Sequence, residues 1–164
     1  MVRIISCVGV IVGCALAVTA QAQAPPVSPT VAASLQAHVR GERFQAVTAM
    51  RGLPLGVREE LQRMFGSTAM AVADPGEPFQ ATDNITDPSL PGRRLNVAGC
   101  SQDHCLVYYE RGGFAHLWYA VLFHWTPDRT RVEAGGTAPA GLRTVDELRN
   151  AVLTGALKGP GRYW

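Results

Sequence analysis

The sequence predicts an α+β domain with a mainly antiparallel sheet, on which N-terminal helices and a C-terminal helix pack. Apolar residues recur at helical spacing before residue 66 and again after residue 144. Between these regions, alternating or continuous apolar runs are separated by glycine and proline turns, which is typical of strands joined by hairpins. A chain of 164 residues has room for one such domain.

The first residues are typical of a secretory signal peptide. Arg3 precedes an uncharged apolar run over residues 4–18, and small residues follow at the spacing that signal peptidase requires, which predicts cleavage after Ala22. A run of about fifteen residues is shorter than the roughly twenty that span a bilayer. We therefore expect a signal peptide (residues 1–22), a linker (residues 23–29) and a single exported domain (residues 30–164) in the periplasm, without membrane contact after cleavage.

Export also predicts the redox state of the cysteines, and removal of the signal peptide changes the net charge on which the choice of partner depends. Cys7 and Cys14 leave with the signal peptide, so Cys100 and Cys105 remain in an oxidising compartment, where a disulfide is the default. Removing Arg3 from the 15 basic residues leaves 14 against 13 acidic ones. A chain so close to neutrality argues against a nucleic-acid partner.

Two helices are predicted in the N-terminal part of the domain. Residues 30–50 favour a helix with a kink near Gly41, which ends at Gly52 and Pro54. Residues 56–65 predict a second helix. The buried stripe of the second helix consists of Val57, Leu61, Met64 and Phe65.

Strands follow these helices. Short strands are expected over residues 69–73 and 79–85, on either side of a proline-glycine turn. Residues 94–98 then alternate in polarity, which predicts a strand with Leu95 and Val97 inward. This strand leads to Cys100, so we expect the cysteine loop to hang from a sheet.

The strongest hairpin signal comes after the cysteines. Residues 106–110 read as a strand, residues 112–113 are a Gly-Gly turn signal, and residues 114–125 are a long apolar strand. Because both faces of the long strand carry large side chains, helices or a partner must cover the second face. A two-residue turn predicts that Tyr109 faces His116, Val107 faces Trp118 and Leu106 faces Tyr119.

A further strand is predicted over residues 130–134, and the chain ends with a helix. Thr144 followed by Glu147 is a capping box, so the helix begins there, and Gly159 with Pro160 is expected to close it. Its buried stripe is predicted to be Val145, Leu148, Ala151, Val152 and Ala156.

The residues that carry chemistry concentrate between Cys100 and Cys105. A disulfide here closes a ring of six residues and would stabilise the fold by only about 2 kcal/mol, so its main effect is local. It would either hold a tight turn that presents its side chains to a partner or only trim a hairpin connection. The presented residues would be Ser101, Gln102, Asp103 and His104.

Metal binding and cysteine catalysis are the alternatives. The metal ligands on offer are Cys100, His104, Cys105, His116 and His124. Eight residues of continuous strand would place His116 and His124 about 27 Å apart, and no recognised zinc spacing is present. A thiol nucleophile with either histidine as base lacks a local motif, and in an oxidising compartment the nearby second cysteine would inactivate the first by forming a disulfide with it. We therefore expect no catalytic residues, metal or cofactor, with His38 on a helix surface and His116 structural.

Three segments together resemble the Ivy family of periplasmic inhibitors of C-type lysozyme. They are residues 44–54, the cysteine loop of residues 100–105, and residues 151–157, and they occur in the family's order. The family's loop carries Lys-Pro-His-Asp between its cysteines, whereas Ser-Gln-Asp-His stands here.

The resemblance implies a binding protein whose loop histidine enters the lysozyme cleft, because an imidazole can bridge two catalytic carboxyl groups about 5 Å apart. The implied partner is C-type lysozyme or another cell-wall lytic enzyme, and a homodimer is one assembly to test. The implied inserted residues are His104 and Asp103, with Gln102 and Ser101 as the rim and Cys100 and Cys105 as the clamp.

Overall fold

The computed structural model describes residues 27–159, so the predicted signal peptide lies outside the described residues. None of the helices it describes is both long and apolar enough to cross a membrane. The fold is an α+β domain, as predicted. In chain order the elements are α1 (Ala33–Gly41), β1 (Gln45–Val47), a 3-10 turn (Met50–Gly52), α2 (Leu55–Met64), β2 (Arg93–Cys100), β3 (His104–Arg111), β4 (Leu117–Thr126), β5 (Arg129–Thr137) and α3 (Val145–Leu153).

The five strands form one antiparallel sheet in the order β1-β2-β3-β4-β5, so each strand pairs with its neighbours in sequence. The edge at β5 is partly covered, since Gly135 donates its backbone N–H to Ser28 and Thr137 exchanges two backbone hydrogen bonds with Lys158. The described end of the predicted linker thus contacts the sheet. The short strand β1 forms the other edge.

Helices cover both faces of the sheet, so the second apolar face of β4 is covered by helices. On one face, α1 and α3 enclose a core that includes Leu106, Leu122 and Leu148. On the other face, α2 packs over Val107 and Phe123. Each of these side chains is fully buried, and burying an apolar side chain of this size stabilises the folded state by roughly 1.5–3 kcal/mol.

The predicted α2 and the predicted start of α3 are confirmed. The Thr144 hydroxyl accepts a hydrogen bond from the Glu147 N–H, and the Glu147 carboxylate accepts one from the Thr144 N–H, as a capping box requires. The helix ends earlier than predicted, at Leu153, because Gly155 adopts a left-handed conformation with φ 75°. Ala156 therefore lies beyond the helix rather than on its buried stripe.

Two N-terminal predictions are wrong. The expected helix over residues 30–50 stops at Gly41, and Gln45–Val47 is instead a strand paired with β2. Local propensity could not anticipate this pairing because the sheet edge that stabilises it lies about fifty residues away in the chain. Residues 69–73 and 79–85 are not strands, and of them only Ala73 makes a bridge, to Arg94.

The predicted register of the β3–β4 hairpin is also wrong. Arg111 pairs with Leu117, so the connection has five residues, and Tyr109 faces Tyr119 rather than His116. The reason lies in Gly112, where an added Cβ would come within 1.9 Å of the Gln80 carbonyl oxygen. This glycine permits a close approach of two backbones and does not form a two-residue turn.

Leu95 and Val97 are both buried, but they do not share a face. A β-bulge lies between them, so Leu95 pairs with Tyr109 while Val97 pairs with the adjacent Tyr108. The extra residue rotates the strand, and the two side chains enter the cores on opposite sides of the sheet.

Candidate functional site

The predicted cysteine pair closes the turn between β2 and β3. Cys100 and Cys105 are register partners with Cα atoms 4.1 Å apart, and their sulfur atoms are joined. The Ser101 hydroxyl accepts a hydrogen bond from the His104 N–H at 2.9 Å, and the Ser101 N–H donates to the His104 carbonyl at 2.7 Å. The turn is therefore fixed both covalently and by hydrogen bonds, and neither sulfur is a free thiol for catalysis or metal binding.

The four residues inside this ring have different exposures. Gln102 is exposed, and the Asp103 side chain is 47% exposed. Ser101 is partly buried, and the His104 side chain, at 2% exposure, belongs to β3 and points into the protein. The turn thus presents Gln102 and Asp103. His104 is not placed to enter another protein's cleft.

His104 instead belongs to a cluster with two residues from the end of α1. Its Nδ1 lies 2.6 Å from Glu42 Oε1, and the same oxygen lies 3.0 Å from His38 Nε2. The Ser101 hydroxyl donates to the second oxygen of Glu42. We refer to His38, Glu42 and His104 as the His38–Glu42–His104 cluster.

The helix geometry explains why two of these residues meet. His38 and Glu42 are four positions apart, so they lie on the same side of α1. Glu42 is the C-cap residue of α1, and its backbone carbonyl accepts a hydrogen bond from Arg149 of α3 at 3.0 Å. The His-to-Glu spacing was visible in the sequence. The approach of β3 to the end of α1 was not, and the sequence therefore indicated only a surface role for His38.

His124 lies next to this cluster. It is the register partner of His104, and the two imidazole centroids are 5.2 Å apart. Burial, reinforced by the positive charge of Arg131 and by His104, lowers the pKa of His124 below its ordinary value. Within the described part of the chain, the buried His104 Nε2 and His124 Nδ1 have no hydrogen-bond partner.

His116 lies near the start of β4, away from the cluster. Its Nε2 is 2.6 Å from Glu110 Oε2, and its ring stacks on Trp118 with centroids 4.6 Å apart. Glu110 also accepts from Arg94 at 2.7 Å. This placement fits the predicted structural role and keeps His116 apart from His124, although its partner is Glu110 and not Tyr109.

A groove of about 670 Å³ runs beside the clamped turn. Gln102 and Ser101 border it on one side, and strand β1 and the 3-10 turn border it on the other. The exposed residues Arg43 and Arg51 line it, and none of its described lining residues is acidic. The groove therefore favours a partner that carries negative charge or hydrogen-bond acceptors.

No protein-family model, curated protein or solved structure matches this chain. The function must therefore be inferred from the clamped turn, the groove and the buried cluster.

Proposed function

We propose that this is an exported, periplasmic binding protein that docks on its partner through the clamped turn and the adjoining groove. The observation that carries the proposal is the exposed Gln102, held on a disulfide-closed turn beside a groove that Arg43 and Arg51 line. Because the disulfide and the Ser101–His104 hydrogen bonds already hold the backbone of the turn in one conformation, less conformational entropy is lost on binding.

The candidate partner is C-type lysozyme or a related cell-wall glycosidase. Such an enzyme presents two carboxyl groups about 5 Å apart in an open cleft. Guanidinium groups bind carboxylates in a bidentate geometry, so Arg43 and Arg51 suit this cleft. The family resemblance implies that His104 enters the lysozyme cleft. Because His104 is buried, we assign this role instead to Gln102, Asp103 and the two arginines.

The charge of Asp103 does not contradict this partner. Its carboxylate lies 3.9 Å from His38 Nε2, and the groove beside the turn is lined by arginine. The alternative is an exported binding module that does not inhibit lysozyme. Because the cysteines are joined, a cysteine hydrolase has no support from the described residues.

Lysozyme activity measured against increasing concentrations of the purified protein tests the proposal. We expect inhibition at micromolar concentration or below. Gln102→Ala and Arg51→Ala should each weaken it about tenfold, because each removes a side chain that faces the partner. Arg129→Ala is the matched control, since Arg129 is exposed on β5 and does not line the groove.

Two results would refute the lysozyme assignment. One is that the purified protein, at micromolar concentration, inhibits neither C-type lysozyme nor a bacterial cell-wall glycosidase. The other is inhibition that Gln102→Ala and Arg51→Ala leave unchanged. Mass spectrometry of the exported protein, intact and after alkylation, would independently test cleavage after Ala22 and the absence of free thiols.

A further inference from the structure

We propose that the His38–Glu42–His104 cluster binds a divalent transition-metal ion of the Zn²⁺ class. The three residues each offer one ligand atom, and these atoms all lie within 4.8 Å of one another. Two imidazoles and a carboxylate form a donor set that Zn²⁺, Cu²⁺ and Ni²⁺ prefer, whereas Mg²⁺ and Ca²⁺ favour oxygen ligands only. The inference does not depend on the lysozyme proposal.

The distances within the cluster suit a tetrahedral ion. With bonds of about 2.0–2.1 Å, neighbouring ligand atoms of a zinc site lie about 3.3 Å apart. Glu42 Oε1 is now 2.6 Å from His104 Nδ1 and 3.0 Å from His38 Nε2. To bind an ion, Glu42 Oε1 would have to move about 0.7 Å away from His104 Nδ1 and about 0.3 Å away from His38 Nε2. Rotation of the exposed His38 side chain can provide the second adjustment, and a small rotation of the Glu42 carboxylate would provide the first.

Surrounding residues hold the Glu42 ligand as the outer partners of metal sites do. The Ser101 hydroxyl donates to the carboxylate oxygen of Glu42 that faces away from the imidazoles, and Arg149 fixes the Glu42 backbone carbonyl. The disulfide at Cys105 holds the neighbouring His104 on β3. Hydrogen bonds of this kind orient ligands, and their loss typically costs about 10–100-fold in metal affinity.

A fourth ligand is within reach at the surface. Asp103 Oδ2 lies 3.9 Å from His38 Nε2, and the Asp103 side chain is 47% exposed. Because His38 is 57% exposed, an ion could enter from solvent without opening the core. The remaining coordination position would be taken by Asp103 or by water.

Isothermal titration of the tag-free protein with Zn²⁺, with the disulfide intact, tests the site. We expect one ion per chain with a dissociation constant of about 10 μM or lower, and a loss of at least tenfold in His38→Ala. Because His38 is 57% exposed, its substitution should leave the fold intact, and far-ultraviolet circular dichroism would check this. His116→Ala is the matched control, because His116 also contacts a glutamate but lies outside the cluster.

Substitution of Co²⁺ gives a second, independent readout. Tetrahedral coordination should produce intense visible absorption that His38→Ala abolishes and His116→Ala retains. The proposal is overturned if the protein does not bind Zn²⁺ at about 100 μM, or if His38→Ala binds as tightly as the unmodified chain. Binding that depends on His124 but not on His38 would also overturn it, because another set of ligands would then hold the ion.

Discussion

At the scale of single residues, His104 shows how a side chain in a surface loop becomes buried. The disulfide joins Cys100, the last residue of β2, to Cys105, the second residue of β3, so His104 is on the strand rather than in the turn. Its ring then fills the space between Glu42 and His124. The exposed part of the turn is shorter than the cysteine spacing suggests.

Tyr108 connects a single side chain to the pH dependence of stability. It is completely buried, its hydroxyl donates to the Pro139 carbonyl at 2.9 Å, and burial raises the pKa of Tyr108 to about 12. An unfolded chain ionises its tyrosines near pH 10, so between about pH 10 and pH 12 it binds fewer protons than the folded protein. Stability should therefore fall as the pH rises through this range.

Tyr108→Phe should make that alkaline fall shallower, because it removes one group that ionises only in the unfolded chain. At neutral pH it should cost about 1 kcal/mol, through loss of the hydrogen bond to Pro139. Urea unfolding at neutral pH and near pH 11 measures both effects. An unchanged alkaline slope would contradict the assignment to Tyr108.

At the scale of elements, the β3–β4 hairpin depends on the irregular segment that precedes β2. The Gly112 N–H donates to the Gly92 carbonyl at 3.1 Å, and Gly113 donates to Ala81 at 3.3 Å. An added Cβ at Gly112 would lie 1.9 Å from the Gln80 oxygen. The segment without strands is thus packed against the hairpin backbone.

We predict that Gly112→Ala destabilises the protein by about 1–3 kcal/mol, because the backbone at Gln80 must move to accept the methyl group. Gly92→Ala is the control, since no atom lies within 4 Å of its added Cβ and its φ is not in the left-handed region. Its effect should be within about 0.5 kcal/mol. Equal urea midpoints for the two variants would show that the close approach is unimportant.

At the scale of the whole molecule, the two cores share the strands that separate them. Successive residues of β4 enter opposite cores, as Leu122 and Phe123 do. Neither core can therefore lose its strands while the other keeps them, and the domain should unfold in one cooperative transition.

Leu61→Ala and Leu148→Ala test this coupling with the same substitution in the two cores. Both leucines are at most 1% exposed, so each change should cost about 2–5 kcal/mol by leaving a cavity. In each variant, near- and far-ultraviolet circular dichroism should both report a single urea transition, and the two probes should give the same midpoint. Separate transitions in either variant would mean that the cores unfold independently.

The elements that could be predicted from sequence are those whose signals are local. The capping box at Thr144 and the apolar stripe around Leu61 located two helices, and the long apolar run located β4. Strand β1 could not be predicted, because its register partners, residues 98–100 of β2, are distant in the sequence.

The same distinction applies to the candidate site. The pairing of Cys100 with Cys105 was predicted from their number and from the expected compartment, and the structure has the disulfide. The cluster of His38 and Glu42 with His104 joins residues about sixty positions apart, through contacts of α1 and α3 that no local pattern records. The sequence singled out Ser101 to His104 but not their exposure, and it did not single out Glu42, Arg43 or Arg51.

The neighbour-only order of the strands has a consequence for how the chain acquires its shape. The β2–β3, β3–β4 and β4–β5 pairings each close a short loop, and such local pairings form fast, whereas the β1–β2 pairing spans about fifty residues. In a chain that emerges with its N-terminus first, the β2–β3 hairpin could form before β4 becomes available. The cysteines at the tip of the hairpin could then be oxidised to the disulfide at this stage. Formation of the disulfide would then be an early event of biogenesis that precedes completion of the fold.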